Sequence, residues 1–256
     1  MSKIHETAVV HKNARIGKNV HIGPFSVIGE HVIIENNADI GSHVCLDWVE
    51  IGISCKISQG VVLGGVPQVL KHNDCPSYVK IGNNNIIREF VTIHRSMKEN
   101  GATVVGDNNY IMAYAHIAHD CQIGNETIIT SYAGLSGHVA VEDKAVIGGA
   151  AGIHQFVKIG SLSMIGGMSR VVKDVPPYFL VEGNPAELIG LNSIGLRRSG
   201  IPPKVRENLK KAFKLLYQSG FNISQAIEKI KKEIEDGEEI KHLVKFIEKS
   251  QRGVIK

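Results

Sequence analysis

Five histidines, His94, His116, His119, His138 and His154, are the side chains of this 256-residue chain best suited to moving protons, because imidazole changes charge near neutral pH. A general base needs a partner that orients it and a place within hydrogen-bond reach of the proton it removes. Asp120 follows His119 directly and can be that partner only if the chain turns a corner there, since successive strand residues point to opposite sides. The same imidazoles support a second reading as zinc ligands. On a third reading they are surface or interface residues with structural hydrogen bonds. What separates these readings is whether residues spread from 94 to 154 meet in space.

The elements that would bring them together follow from a period of six. Ile, Val or Leu stands at 105, 111, 117, 123, 129, 135, 141, 147, 153, 159, 165 and 171, twelve positions without a miss. The same period runs through Val10, Ile16, Ile22, Ile28, Ile34, Ile40 and Leu46, through Ile51, Ile57 and Leu63, and through Ile81, Ile87 and Ile93. Gly often follows the aliphatic, as in Ile22-Gly23 and Ile123-Gly124, and a small or β-branched residue comes four positions after it, as at Val20, Ser26, Ala115, Cys121, Ala133 and Ala151. Six matches neither the helical period nor a meander of long hairpins. It predicts a parallel β-helix with three hexads per coil, each coil covering the apolar interior of the last.

Used as a ruler, the period converts sequence scatter into a column. His94, His119, His138 and His154 lie one, two, three and one residues after Ile93, Ile117, Leu135 and Ile153, on one face of four successive coils. Gly137 is one coil beyond His119, where a glycine N–H is open to a substrate oxyanion, and Gln155 is one coil further. Two polar, turn-rich segments, about 64–80 and 94–104, interrupt the period and leave the coils from the same edge. Loops on a rigid scaffold are where binding chemistry usually sits. Residues 1–190 therefore read as β-helix with two projecting loops, and residues 191–256 as a helical domain. In that domain Val205, Leu209, Ala212, Phe213, Leu216 and Tyr217 form one apolar stripe, Ser224 is the expected N-cap of a second helix, and Ile240, Leu243, Val244 and Ile247 line a third.

Composition bounds the partners. The net charge of +4 divides unevenly, because residues 191–256 hold 15 Lys or Arg against 8 Asp or Glu, which is +7 and leaves −3 elsewhere. A basic end suggests an anionic partner. Aromatics are not interleaved with the basic residues, so nucleic acid is disfavoured. No apolar run approaches a membrane span, the N-terminus lacks a signal pattern, and Cys45, Cys55, Cys75 and Cys121 show no paired spacing, which points to a cytoplasmic protein with reduced thiols.

The run Ala115-His116-Ile117-Ala118-His119-Asp120-Cys121 resembles the acyl-[acyl-carrier-protein]:UDP-N-acetylglucosamine O-acyltransferase (LpxA) family. So do Val91-Thr92-Ile93-His94-Arg95, Ser136-Gly137-His138-Val139, Ile153-His154-Gln155-Phe156, Asp174-Val175-Pro176-Pro177-Tyr178 and Gly190-Leu191-Asn192, and the likeness covers essentially the whole chain. It implies a homotrimer of left-handed β-helices with active sites between subunits, performing the first step of lipid A biosynthesis. The reaction would carry a 3-hydroxyacyl chain from acyl carrier protein to the 3-hydroxyl of UDP-N-acetylglucosamine, with no cofactor and no metal. By motif, His119 is the general base, Asp120 orients it and Gly137 is the oxyanion donor. Gln68, Lys71, His94, His116, His138, His154, Gln155, Asn192 and Arg198 would bind nucleotide sugar or acyl-pantetheine, and Gly167 falls where acyl length is measured. Val69 stands where many members have Asp, Ile194 where some have Glu, and Ser199 where a third basic residue occurs. The first of these departures keeps open N-acyl transfer to a 3-amino analogue of the sugar. A zinc-dependent β-helix hydratase is the more distant alternative.

Overall fold

The computed structural model describes residues 2–71 and 74–256. Nearly every hexad forms a two-residue strand that ends on its aliphatic residue, and strands one coil apart pair in parallel. His116–Ile117 pairs with Gly134–Leu135, that strand with Gly152–Ile153, and that one with Arg170–Val171. Among the described residues three sheets of 11, 9 and 8 strands result, and they are the faces of a left-handed parallel β-helix of hexapeptide repeats. A two-residue strand has no stability alone, and the interior supplies it. Ile93, Ile117, Leu135 and Ile153 are fully or almost fully buried, with Ala115, Cys121, Ala133 and Ala151 filling the corners. Each buried Ile or Leu contributes roughly 1.5–3 kcal/mol.

The corners explain where the glycines fall. The third residue after the aliphatic adopts the left-handed conformation, and it is almost never glycine: φ is 62° at Tyr114, 61° at Asp120 and His138, and 66° at Phe156. Contact with neighbouring coils offsets a conformational cost of roughly 1–2 kcal/mol per such residue. The glycine directly after the aliphatic answers a different need. A Cβ on Gly23 would stand 2.7 Å from the Gly41 carbonyl of the next coil, so glycine there permits the coils to approach.

Both interruptions leave from the corner that follows the nine-stranded face, as the register predicts. They are shorter than their sequence bounds, because flanking strands continue into them. Val62–Gly65 and Tyr78–Ile81 bracket the first, and Thr92–His94 and Ala102–Val105 the second. Residues 72 and 73 of the first lie outside the described residues.

Beyond Val171 the chain adds a hairpin that the hexad pattern does not announce. Phe179–Gly183 pairs in parallel with Met164–Ile165, and Ala186–Leu191 returns antiparallel to it. The fully buried Phe179 ring meets Phe213 and Tyr217 edge-on, joining β-helix to helices. Four helices follow: α1 (Ser193–Arg198), α2 (Pro203–Tyr217), α3 (Ile223–Glu233) and α4 (Glu238–Glu248). The cap of α3 differs from expectation. Asn222, not Ser224, accepts from the Gln225 N–H while the Gln225 side chain accepts from the Asn222 N–H, a reciprocal box that fixes the start two residues earlier. No helix among the described residues is long and apolar enough to cross a membrane.

Candidate active site

His119 and Asp120 occupy the corner between the nine-stranded and eight-stranded faces, and the positive φ of Asp120 is what lets neighbouring side chains meet. His119 Nδ1 lies 2.8 Å from Asp120 Oδ2. Asp120 Oδ1 accepts from the Ser96 hydroxyl, and Oδ2 also accepts from the Met97 N–H at 3.2 Å. Burial alone would raise the pKa of this carboxyl. The hydrogen bonds from Ser96, His119 and Met97, with the nearby His138 imidazole, outweigh it and hold the group below its ordinary value. An ionised carboxylate only accepts, so Nδ1 of His119 carries the proton and Nε2 is left with a free lone pair. That is the tautomer a general base requires.

Nε2 faces Gly137. A Cβ at Gly137 would stand 2.5 Å from His119 Cε1 and 2.6 Å from Nε2, so the imidazole lies against a backbone that no side chain could cover. The Gly137 N–H makes no hydrogen bond among the described residues. Base and free amide share a cleft of about 540 Å³ that runs along the nine-stranded face. Gln68 and Val69 of the first loop, with His116, His154 and Gln155, also line it. Its floor is open where Gly134 and Gly152 point outward with no atom within 4 Å of a built Cβ.

The other histidines form a neutral wall beside the dyad. His94 and His116 meet edge to face at 5.0 Å, and Thr92 Oγ1 bonds His116 Nδ1 at 2.8 Å. His138 crosses His119 edge to face and stacks on Phe156. Burial lowers all three pKa values, most at His94, to about 4, where charge on His116 and His119 adds to the effect; at His138 the pull of Asp120 opposes it. An unfolded histidine titrates near 6.5. Between about pH 6.5 and 4 the unfolded chain therefore binds a proton that folded His94 refuses, and stability falls as pH is lowered through that window. Unfolding free energies from urea titrations should drop between pH 7 and pH 5, and drop by on the order of 1–2 kcal/mol less in His94→Gln. Equal drops in the two proteins would contradict this.

Not every residue expected at the site gathers there. Lys71 is exposed and does not line the cleft. Gly167 lies at the corner after Ile165, 3.4 Å from a Gly149 oxygen as measured from a built Cβ. Asn192 accepts from the Gly195 N–H to cap α1 and donates to the Leu162 carbonyl at 2.8 Å, and Arg198 ends that helix. In this chain Lys71 lies on the first loop, Gly167 on another β-helix corner, and Asn192 and Arg198 at the two ends of α1.

Sequence reading missed Ser96, because a serine in a turn-rich loop carries no period. Arg95 stands one coil before His119 in register, yet its guanidinium turns away into the loops. It is 3% exposed, pairs with Asp74, donates to the Cys75 carbonyl and to Ser77 Oγ at 3.2 Å, and sits 5.4 Å over Trp48. The Ser77 hydroxyl in turn bonds the Ser96 carbonyl, which ties the first loop to the residue that holds Asp120. In Ser96→Ala the Asp120 charge is less shared and stabilises a protonated dyad more strongly. The acid limb of kcat/KM should move up by about half a pH unit or more, with roughly a tenfold loss at neutral pH. Ser96→Thr should restore both, and a loss of rate with an unmoved limb would leave Ser96 a purely structural role.

His119, Asp120 and His138 offer three ligand atoms within 4.8 Å of one another, so a metal is conceivable there. The carboxylate speaks against it. Both Asp120 oxygens are already taken by Ser96, Met97 and His119, and a cation on Oδ2 would have to break the bond that sets the His119 tautomer.

A hexad β-helix holding an oriented imidazole against a bare backbone amide, in an open cleft, defines the class of hexapeptide-repeat acyltransferases. Residues 13–47 and 102–137 match the bacterial transferase hexapeptide repeat, and residues 174–255 match the second domain of UDP-N-acetylglucosamine O-acyltransferase. An acyl-[acyl-carrier-protein]–UDP-N-acetylglucosamine O-acyltransferase from Thermodesulfovibrio yellowstonii is 48% identical over 99% of each chain. The crystal structure of LpxA from Bacteroides fragilis superposes with a TM-score of 0.96 at 38% identity, covering 98% of this chain and 99% of that one. LpxA from Acinetobacter baumannii gives 0.94 at 40% identity over 99% of each. The chain belongs to the UDP-N-acetylglucosamine O-acyltransferase family.

Proposed function

We propose that this protein transfers a 3-hydroxyacyl chain from acyl carrier protein to the 3-hydroxyl of UDP-N-acetylglucosamine, the first step of lipid A biosynthesis, in the cytoplasm. The observation that carries the reading is the lone pair of His119 Nε2, freed by the Nδ1 bond to Asp120 and set against the Gly137 amide. Nε2 takes the proton of the sugar hydroxyl as its oxygen attacks the thioester carbonyl. The Gly137 N–H stabilises the resulting oxyanion. The C–S bond then breaks, and the imidazolium returns its proton to the departing thiolate. Atoms and charge balance without a cofactor.

Gln68, His116, His154 and Gln155 bind substrate from the cleft walls, while His94 and His138 keep the wall neutral and fixed. Lys71, Asn192 and Arg198 serve the site from a neighbouring copy in a homotrimer, with Gly167 bounding the acyl groove. The exposed stacked rings of Phe90, Tyr114 and Tyr132 border the cleft-bearing face and support such an assembly. The basic helical domain is the docking side for acidic acyl carrier protein. Val69 presents no carboxylate to the cleft, so rates on UDP-N-acetylglucosamine and on its 3-amino analogue are the test. Faster transfer to the hydroxyl sugar is expected, and preference for the amine would make this an N-acyltransferase.

A further inference from the structure

The end of the cleft remote from the dyad is cationic. Arg170 follows Gly134 and Gly152 in the outward register column, two coils and about 10 Å beyond the coil that holds Gly137. The bare glycine floor leads straight to it. A second guanidinium arrives from the C-terminal tail. Arg252 donates to the Val172 carbonyl from Nε at 3.4 Å and from Nη2 at 3.3 Å, and Nη2 lies 3.3 Å from His154 Nδ1. Val172 and His154 both line the cleft.

The tail is fastened where it delivers this side chain. Buried Asp174 accepts from the Ser250 hydroxyl at 2.7 Å and from the Lys158 N–H at 2.8 Å, while its own N–H bonds the Gly253 carbonyl and its carbonyl takes the Ile255 N–H. Bonds on both sides of Arg252 fix its backbone. Among the described residues neither Arg170 nor Arg252 has a carboxylate within salt-bridge distance. Two guanidiniums without a counter-ion, at the end of a cleft and beside an imidazole, match the planar multi-donor recognition of phosphate.

We propose that Arg170 and Arg252 form an anion subsite for a phosphate ester of one of the two substrates. This rests on the acyl-transfer reading above. The phosphate is either the diphosphate of the nucleotide sugar or the phosphodiester of the carrier's pantetheine arm, and the same guanidinium chemistry serves both.

The test uses the full chain and its Arg170→Met, Arg252→Met and Arg252→Lys variants, with thermal melts to confirm folding. Donors are 3-hydroxyacyl-pantetheine with and without its phosphate, and UDP serves as a competitive inhibitor. Each Met variant should raise KM for the phosphate-bearing substrate roughly tenfold or more while kcat stays within about threefold, and Lys should recover part of the loss. If the nucleotide is the ligand, the UDP inhibition constant rises in step and the preference for the phosphorylated donor persists. If the donor is the ligand, that preference disappears and UDP inhibition is unchanged. Wild-type KM values and UDP inhibition in both Met variants would overturn the subsite. Absence of turnover in the wild type would instead defeat the acyl-transfer reading, and calorimetric UDP titration of the same proteins would still read a nucleotide subsite.

Discussion

His119→Ala is expected to fold, assemble and melt like the wild type while losing at least about a thousandfold in kcat. The size of the loss follows from the single task of the imidazole. Its Nδ1–H is committed to Asp120, and Nε2 is the one lone pair set against Gly137. Structural damage should be small, because Asp120 keeps its bonds from Ser96 and Met97 when the ring is gone. Circular dichroism and size-exclusion chromatography check the fold, and turnover with 3-hydroxyacyl carrier protein checks the chemistry. A folded variant within tenfold of wild-type kcat would remove His119 from the role of base.

Gly137→Ala should be nearly as damaging, through geometry. The added methyl would meet His119 Cε1 at 2.5 Å and Nε2 at 2.6 Å, closer than carbon atoms tolerate, so the ring must swing away from the base position. The methyl also covers the amide that stabilises the oxyanion. Loss of one such donor costs about 100- to 1000-fold in kcat. His119 is partly exposed and has room to move, so the melting temperature should shift by only a few degrees. A variant that unfolds would contradict the account, as would one that turns over normally.

Much of this architecture was legible because one period governs it. Counting in sixes and eighteens placed Gly137 over His119, set both loops on one edge, and required the corner at Asp120 that the φ of 61° supplies. What escaped detection lies where the period stops. Ser96 holds Asp120 from a loop whose path depends on the buried Arg95 guanidinium and its ion pair with Asp74, a long-range contact with no local signature. The hairpin Phe179–Gly183 and Ala186–Leu191 continues a sheet without the hexad pattern, since one of its strands runs antiparallel. Asn222 and Ser224 are both good cap residues, and only the reciprocal bond with Gln225 decides between them. The glycines after each aliphatic were visible, but their cause, the approach of the next coil's backbone, required coordinates. Gly167, Asn192 and Arg198 join the site only through the resemblance, and in a single chain they stand on another corner and at the two ends of α1.

The oriented imidazole and the bare amide together pass an acyl group to a sugar oxygen. Product analysis after incubation of the purified protein with 3-hydroxyacyl carrier protein and UDP-N-acetylglucosamine tests it most directly. A UDP-sugar heavier by one hydroxyacyl group is expected, with the ester placed at O3 by the downfield shift of the sugar H3 resonance. Free hydroxy acid with no acylated nucleotide, or an unconsumed thioester, would contradict it.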